Sequence, residues 1–177
     1  DKLRDTMQSH ERCSVVEVMG RHAGYLALYV GLSVGATAVL IPEHELDFER
    51  DIVEKIRRAR LAGTTHYMVV VAEGVGSAIE IGDRIHEAVG IDPRVTVLGH
   101  IQRGGAPTAR DRETASRMGY EAVKAIVSNQ GNCVVATKEG RMVVIEMEEA
   151  LKMTKTFEMD RYRILEALTN NNYAEIG

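Results

Sequence analysis

The sequence predicts an α/β domain built on a largely parallel sheet, and three observations carry that expectation. Apolar strand-like runs alternate four times with segments of helical periodicity, the rhythm of strand–helix–strand units. The run from Tyr67 to Ala72 is almost wholly apolar, as in a parallel strand covered on both faces. Three of the four strands empty into glycine-rich polar loops, at Met19–His22, Glu73–Gly76 and Gly99–Gly105, where ligands of open α/β sheets collect beyond the strand carboxyl ends.

Taken in order, residues 1–8 read as the last turns of a helix, with Lys2 and Arg4 suited to a helix C-terminus. Ser9 to Arg12 is a polar connector. Cys13 to Met19 is the first strand, rich in β-branched residues. It runs through Gly20, Arg21 and His22 into an apolar helix over 22–36, closed by Gly35. The amides of that helix start, beside an arginine, offer a place for an anion.

Ala38 to Ile41 is a short buried strand, and 47–61 a helix with Asp47 as its cap and Phe48, Ile52, Ile56 and Ala59 on one face. The third strand, Tyr67–Ala72, leads to a helix at 78–89. Arg94 to Leu98 is the fourth strand. Pro107 opens a helix reaching about 128, whose inner stripe is Ala115, Met118, Ala122 and Ile126. A hairpin follows, Asn132–Thr137 and Arg141–Glu146 about the turn Lys138-Glu139-Gly140. Helical segments at 148–153 and 158–169 precede a frayed tail over 170–177.

Composition is globular, 45% hydrophobic and 27% charged in 177 residues, and a net charge of −4 argues against non-specific nucleic-acid binding. Cys13 and Cys133 form neither a disulfide framework nor a metal pattern and read as small buried hydrophobes. No apolar run approaches the roughly 18 residues of a membrane span, so the expectation is a cytoplasmic chain without a membrane partner. The opening Asp1-Lys2-Leu3-Arg4, without methionine and already helical in pattern, reads as a piece of a longer protein.

The polar loops supply Arg21, His100 and Arg103 as cationic or hydrogen-bonding heads and Glu73 as a carboxylate. That combination suits a phosphorylated polyol, because guanidinium forks grip phosphate and a carboxylate accepts hydroxyl hydrogens. Arg12 and Arg94 fall at the opposite, starting ends of their strands. Gly74-Val75-Gly76 is no dinucleotide fingerprint, since Ile79 stands at the third glycine position. Walker A, GxSxG and HExxH patterns are absent from the sequence. His10-Glu11 and His44-Glu45 are isolated pairs, and His66 and His86 read as a strand-edge and a helix-face residue.

Four stretches together, Ser9–Arg12, Glu17–Gly24, Val71–Ser77 and Thr96–Ala109, closely resemble bacterial ATP-dependent 6-phosphofructokinase in order and spacing across essentially the whole chain. The resemblance implies a three-layer parallel-sheet sandwich with a small hairpin and helices after it, and residues 1–177 as the C-terminal, fructose 6-phosphate-binding portion of that enzyme. Met19, Gly20 and Arg21 match the sugar-phosphate loop, with Arg21 also near the transferred phosphoryl group. Glu73 matches the carboxylate for sugar hydroxyls, and His100 and Arg103 match residues holding the sugar phosphate. Arg12 and Arg94 match arginines that reach the 6-phosphate site of a neighbouring protomer, implying at least a dimer and, in the parent, a homotetramer.

ATP and Mg2+ serve the full-length glycolytic kinase, whose nucleotide loops, metal ligands and aspartate base would precede Asp1, so the chain alone is expected to be inactive and to bind no metal. Arg4 and Gly35 match the allosteric effector pocket. There Thr37 replaces a metal-binding glutamate, and Ala62 and Thr64 replace basic residues, which predicts a feeble effector response. Two alternatives stay open: a pyrophosphate-dependent phosphofructokinase, and a non-catalytic sugar-phosphate-binding module.

Overall fold

The computed structural model describes residues 2–7 and 12–170; the expected connector at 9–11, the pair His10-Glu11 and the tail beyond 170 lie outside them. The chain divides into two compact units, one formed by residues up to 103 with those from 157 onward, the other by 104–156.

The first unit is a parallel sheet of four strands: β1 (Arg12–Val18), β2 (Ala38–Leu40), β3 (His66–Ala72) and β4 (Pro93–Val97), in the order β2-β3-β1-β4. Register pairs Val15 with Val69 across β1–β3 and Ser14 with Arg94 across β1–β4. Because side chains alternate along a strand, two separate cores result. One face, carrying Val16, Val18, Val39, Met68 and Val70, packs against α1 (Lys2–Met7), α2 (Tyr25–Val34) and α7 (Met159–Asn170) through Met7, Leu28, Tyr162 and Leu165. The other face, carrying Val15, Leu40, Tyr67, Val69 and Val71, packs against α3 (Glu54–Leu61) and α4 (Ala78–Val89) through Ile56, Ile81 and Ile85. Helix, sheet and helix make the three layers that the resemblance implies.

Helix α2 begins at Tyr25, three residues later than the sequence suggests, because His22 to Gly24 stay in the turn. Its left-handed cap falls on Gly35 as expected. Gly31 lies against β2: a Cβ there would sit 2.1 Å from Val39 Cγ2. The helix expected over 47–61 opens instead as a wider turn over Glu49–Val53, closed by Glu54 N–H to the Glu49 carbonyl, before α3 starts. Asp47 still caps it, accepting from Arg50 N. Asp51 in that turn is buried, and burial alone would raise its carboxyl; the Arg50 guanidinium and the Asp47 amide outweigh this and hold it low. Buried Lys55 donates to Glu166 of α7, pinning that helix to α3. Cys13 is fully buried, with its thiol pushed up to about 12 by desolvation, whereas Cys133 is only half-buried, short of the expectation.

The second unit consists of α5 (Ala109–Val127), the antiparallel hairpin β5 (Cys133–Lys138) and β6 (Arg141–Glu146), and α6 (Met147–Lys152). Thr108, rather than Pro107, opens α5, in a reciprocal cap with Asp111. The expected inner stripe is corrected: Ala125 is the buried apolar residue of α5, Met118 and Ala122 are half-buried, and Ala115 and Ile126 are exposed. No helix among the described residues is long and apolar enough to cross a membrane.

Candidate functional site

Beyond the carboxyl end of β1 the chain turns sharply at Gly20 and Arg21, and Arg21 takes a left-handed conformation with φ of 52°. A non-glycine residue there is strained by ~1 kcal/mol or more and persists only when its surroundings hold it. The holder is Glu73, just past β3. Its Oε1 accepts from Gly20 N at 3.1 Å and from Arg21 N. These two amides, with the nearby guanidinium charges of Arg21 and Arg103, hold the Glu73 carboxyl below its usual range. It is therefore an acceptor at neutral pH, and its Oε2 takes no hydrogen bond from the described residues.

Close approach completes the arrangement. Gly74 lies beneath the turn so tightly that a Cβ would fall 2.0 Å from the Arg21 carbonyl oxygen. Met19 N donates to Gln102 Oε1 at 2.8 Å, tying the first loop to the tight turn Gly99–Arg103 that follows β4. That turn carries His100 and Arg103, both exposed.

Met19, Gly20, Arg21, Glu73 and Arg103 are thus brought together, and His100 shares the turn of Arg103. Arg12 and Arg94 are not part of that group. Arg12 opens β1 and donates to the Thr6 carbonyl at 3.3 Å, and Arg94 is near the start of β4. Six further strand residues separate Arg12 from the turn, about 20 Å.

One expectation is overturned in its details. The cap amide of α2 is taken up within the chain: Gly24 N donates to both oxygens of Glu43, at 2.9 and 3.0 Å. The start of α4 is filled likewise, since Ala78 N donates to Glu17 Oε2 at 3.3 Å while Ser77 caps Glu80 N. An internal carboxylate thus sits at the start of each of these helices. Sequence reasoning missed Gln102, Glu43 and Glu17. Gln102 and Glu17 each lie inside a stretch that carries the resemblance, whereas Glu43 has no such signal.

A second concavity of about 270 Å3 lies at the far end of the first unit. Arg4, Gly35, Thr37, Ala62 and Thr64 all line it, as the resemblance groups them. Arg58 and His66 line it too, and neither was anticipated there. Arg58 is paired with Glu54 at 2.7 Å. Thr37 is committed to the sheet, its N–H donating to the Met68 carbonyl and its Oγ1 accepting from Met68 N at 3.2 Å. Among the described residues no three His, Cys, Asp or Glu side chains gather as metal ligands.

The first unit, with polar loops gathered past the strand ends, is an open α/β protein of the kind that places ligands at that edge. Comparison with known proteins narrows the class. A family model described as phosphofructokinase matches residues 1–126. The chain is 48% identical over 169 residues to ATP-dependent 6-phosphofructokinases of Bacillus thuringiensis and Bacillus anthracis, covering 96% of this chain and 53% of each relative. Among solved structures, phosphofructokinase from Saccharomyces cerevisiae superposes with a TM-score of 0.80 at 30% identity, covering 98% of this chain and 24% of that one. Pichia pastoris phosphofructokinase in the T-state gives 0.77 at 30% identity, covering 98% and 20%. A pyrophosphate-dependent phosphofructokinase from Marinobacter aquaeolei, at 0.75 and 21% identity over 90% of this chain and 45% of that one, shares the fold. The chain belongs to the phosphofructokinase family. It spans about half the length of the curated relatives it matches.

Proposed function

We propose that residues 1–177 form the C-terminal, fructose 6-phosphate-binding portion of an ATP-dependent 6-phosphofructokinase. The whole enzyme would transfer the terminal phosphoryl group of ATP to the 1-hydroxyl of fructose 6-phosphate. The observation carrying this reading is the clasp of Glu73 on the Gly20 and Arg21 amides, which puts an ionised carboxylate close to two arginines past the strand ends. Glu73 Oε2 accepts sugar hydroxyls, Arg103 and His100 hold the phosphate, and Arg21 neutralises charge on the phosphoryl group in flight. Identity to relatives named ATP-dependent favours ATP over pyrophosphate as donor.

ATP and Mg2+ would be held by the portion of the enzyme that this chain does not match. Arg12 and Arg94, remote from the loops, would complete the site of a neighbouring protomer, in at least a dimer and in the parent a tetramer. Glycolytic work in the cytoplasm fits this reading. The effector cavity would respond feebly, since Thr37 is engaged by the sheet, Ala62 and Thr64 carry no charge, and Arg58 is already paired. Strong inhibition of the complete enzyme by low phosphoenolpyruvate would contradict that.

Calorimetric titration of fructose 6-phosphate into this chain and its Arg21→Ala variant, with mass measured by light scattering, tests the central reading. Saturable binding by an oligomer, lost in the variant, is expected. Equal binding by both proteins would refute it. A coupled assay on the chain alone should give no fructose 1,6-bisphosphate.

A further inference from the structure

Strands β1, β2 and β3 each empty into a four-residue turn at the same edge of the sheet. Ala23 N donates to the Gly20 carbonyl at 3.0 Å, His44 N to that of Ile41 at 3.3 Å, and Val75 N to that of Ala72 at 2.9 Å. The first turn carries Arg21, the third carries Glu73, and the second carries Glu43. Pro42 precedes Glu43, at the position where a fixed φ suits a turn. Behind it His44 is held in place, with Arg50 Nη2 3.0 Å from its Nε2 and its ring 4.9 Å from that of Tyr162. Glu43 is thus an exposed side chain on a stiff mount.

The group that this carboxylate holds does not belong to the adjacent strand. The sheet order β2-β3-β1-β4 puts two strand spacings, about 10 Å, between β2 and β1. Glu43 nonetheless accepts from Gly24 N, just past the turn that follows β1, at 2.9 and 3.0 Å. The connection spans the end of β3, where Gly74 meets both sides: a Cβ there would lie 3.0 Å from Pro42 Cγ and 2.0 Å from the Arg21 carbonyl oxygen. Gly24 is a glycine for the same reason. Its φ of −88° suits any residue, but a Cβ would lie 2.4 Å from Ile41 Cβ and 2.7 Å from Glu43 Oε2.

We propose that Glu43 is a positioning residue for Arg21, fixing the far end of the turn whose near end Glu73 clasps. Its consequence for ligand binding rests on the sugar-phosphate reading; its geometry rests on the bonds to Gly24 alone. Arg21 is strained, with φ of 52°, and keeps that conformation only while its surroundings hold it. With the far end free, the turn relaxes and carries the guanidinium off its mark, and small displacements of a positioned charge cost much of its effect. The bond to Gly24, rather than the negative charge, is what Glu43 contributes.

Three substitutions separate the bond from the charge. Glu43→Gln keeps the reach and an acceptor oxygen but drops the charge, Glu43→Asp keeps the charge on a shorter side chain, and Glu43→Ala loses both. Calorimetric titration of fructose 6-phosphate should find Glu43→Gln within about threefold of the unsubstituted chain, a neutral acceptor being weaker than a charged one. Glu43→Asp and Glu43→Ala should bind about tenfold more weakly or worse. In those two, amide exchange followed by NMR should show Gly20, Arg21 and Gly24 losing protection while Val69–Val71 of β3 keep theirs. A residue that only stabilised α2 would shift the unfolding midpoint and leave affinity and the Gly20 and Arg21 amides alone. If Glu43→Ala fails to fold, the order of Glu43→Gln and Glu43→Asp decides. Three outcomes would overturn the proposal: Glu43→Asp binding as tightly as the unsubstituted chain, Glu43→Gln binding as weakly as Glu43→Asp, or Gly20 and Arg21 amides equally protected in every variant. If the unsubstituted chain does not bind fructose 6-phosphate, the reading of the site falls, and the exchange pattern by itself decides the role of Glu43.

Discussion

Arg21 is held in a strained conformation by a carboxylate 52 positions away in sequence, and the strain and the side chain can be separated experimentally. Glycine relaxes the left-handed backbone, while a β-branched residue aggravates it. Arg21→Gly should therefore hold or raise stability, by up to about 1 kcal/mol, while removing sugar-phosphate binding, and Arg21→Val should lower both. Denaturant unfolding beside calorimetry checks the pair. Glu73 sets the pH range of the clasp. Its pKa is depressed in the folded chain, so its contribution is present above the ordinary glutamate value and is lost as pH falls through the lower folded one. The pH midpoint at which the Gly20 and Arg21 amide NMR signals shift should lie below the ordinary glutamate value.

Elements were legible wherever a period of two or 3.6 was enforced by a core. The alternation of Val15 and Val16 between two faces, and the run Val69–Val71, place β1 and β3 without ambiguity. The wide turn at Glu49–Val53 was not legible, because it depends on Asp51 being buried against Arg50 and the Asp47 amide, a tertiary matter. The same holds for the candidate site. Its arginines and Glu73 stand out as charges beside glycines, whereas Glu43 and Glu17 look like ordinary surface acids until folding brings them to helix starts 19 and 61 residues away. At this scale Gly31→Ala should cost about 1–3 kcal/mol, since its methyl group would meet Val39. Gly74→Ala should cost a similar amount and also weaken sugar-phosphate binding, because its methyl pushes on the Arg21 carbonyl. Unfolding curves for both variants, with a titration for the second, check these values.

Across the first unit, α7 closes one layer of the sandwich although it lies more than 60 positions beyond β4, and Lys55–Glu166 is its polar tie. Removing one partner leaves a buried ammonium unpaired, whereas replacing both restores an apolar contact. Glu166→Ala should cost about 2–3 kcal/mol, and Lys55→Met with Glu166→Leu much less. A double-mutant cycle by thermal unfolding reads the difference.

Gln102 joins Met19 to the turn of His100 and Arg103 by one side-chain bond. Two loops stitched in this way should not fluctuate independently: they open as one cooperative unit, and their amides should share a common exchange free energy. Unstitching them with Gln102→Ala would split that shared opening into two, letting Arg21 and Arg103 wander out of step.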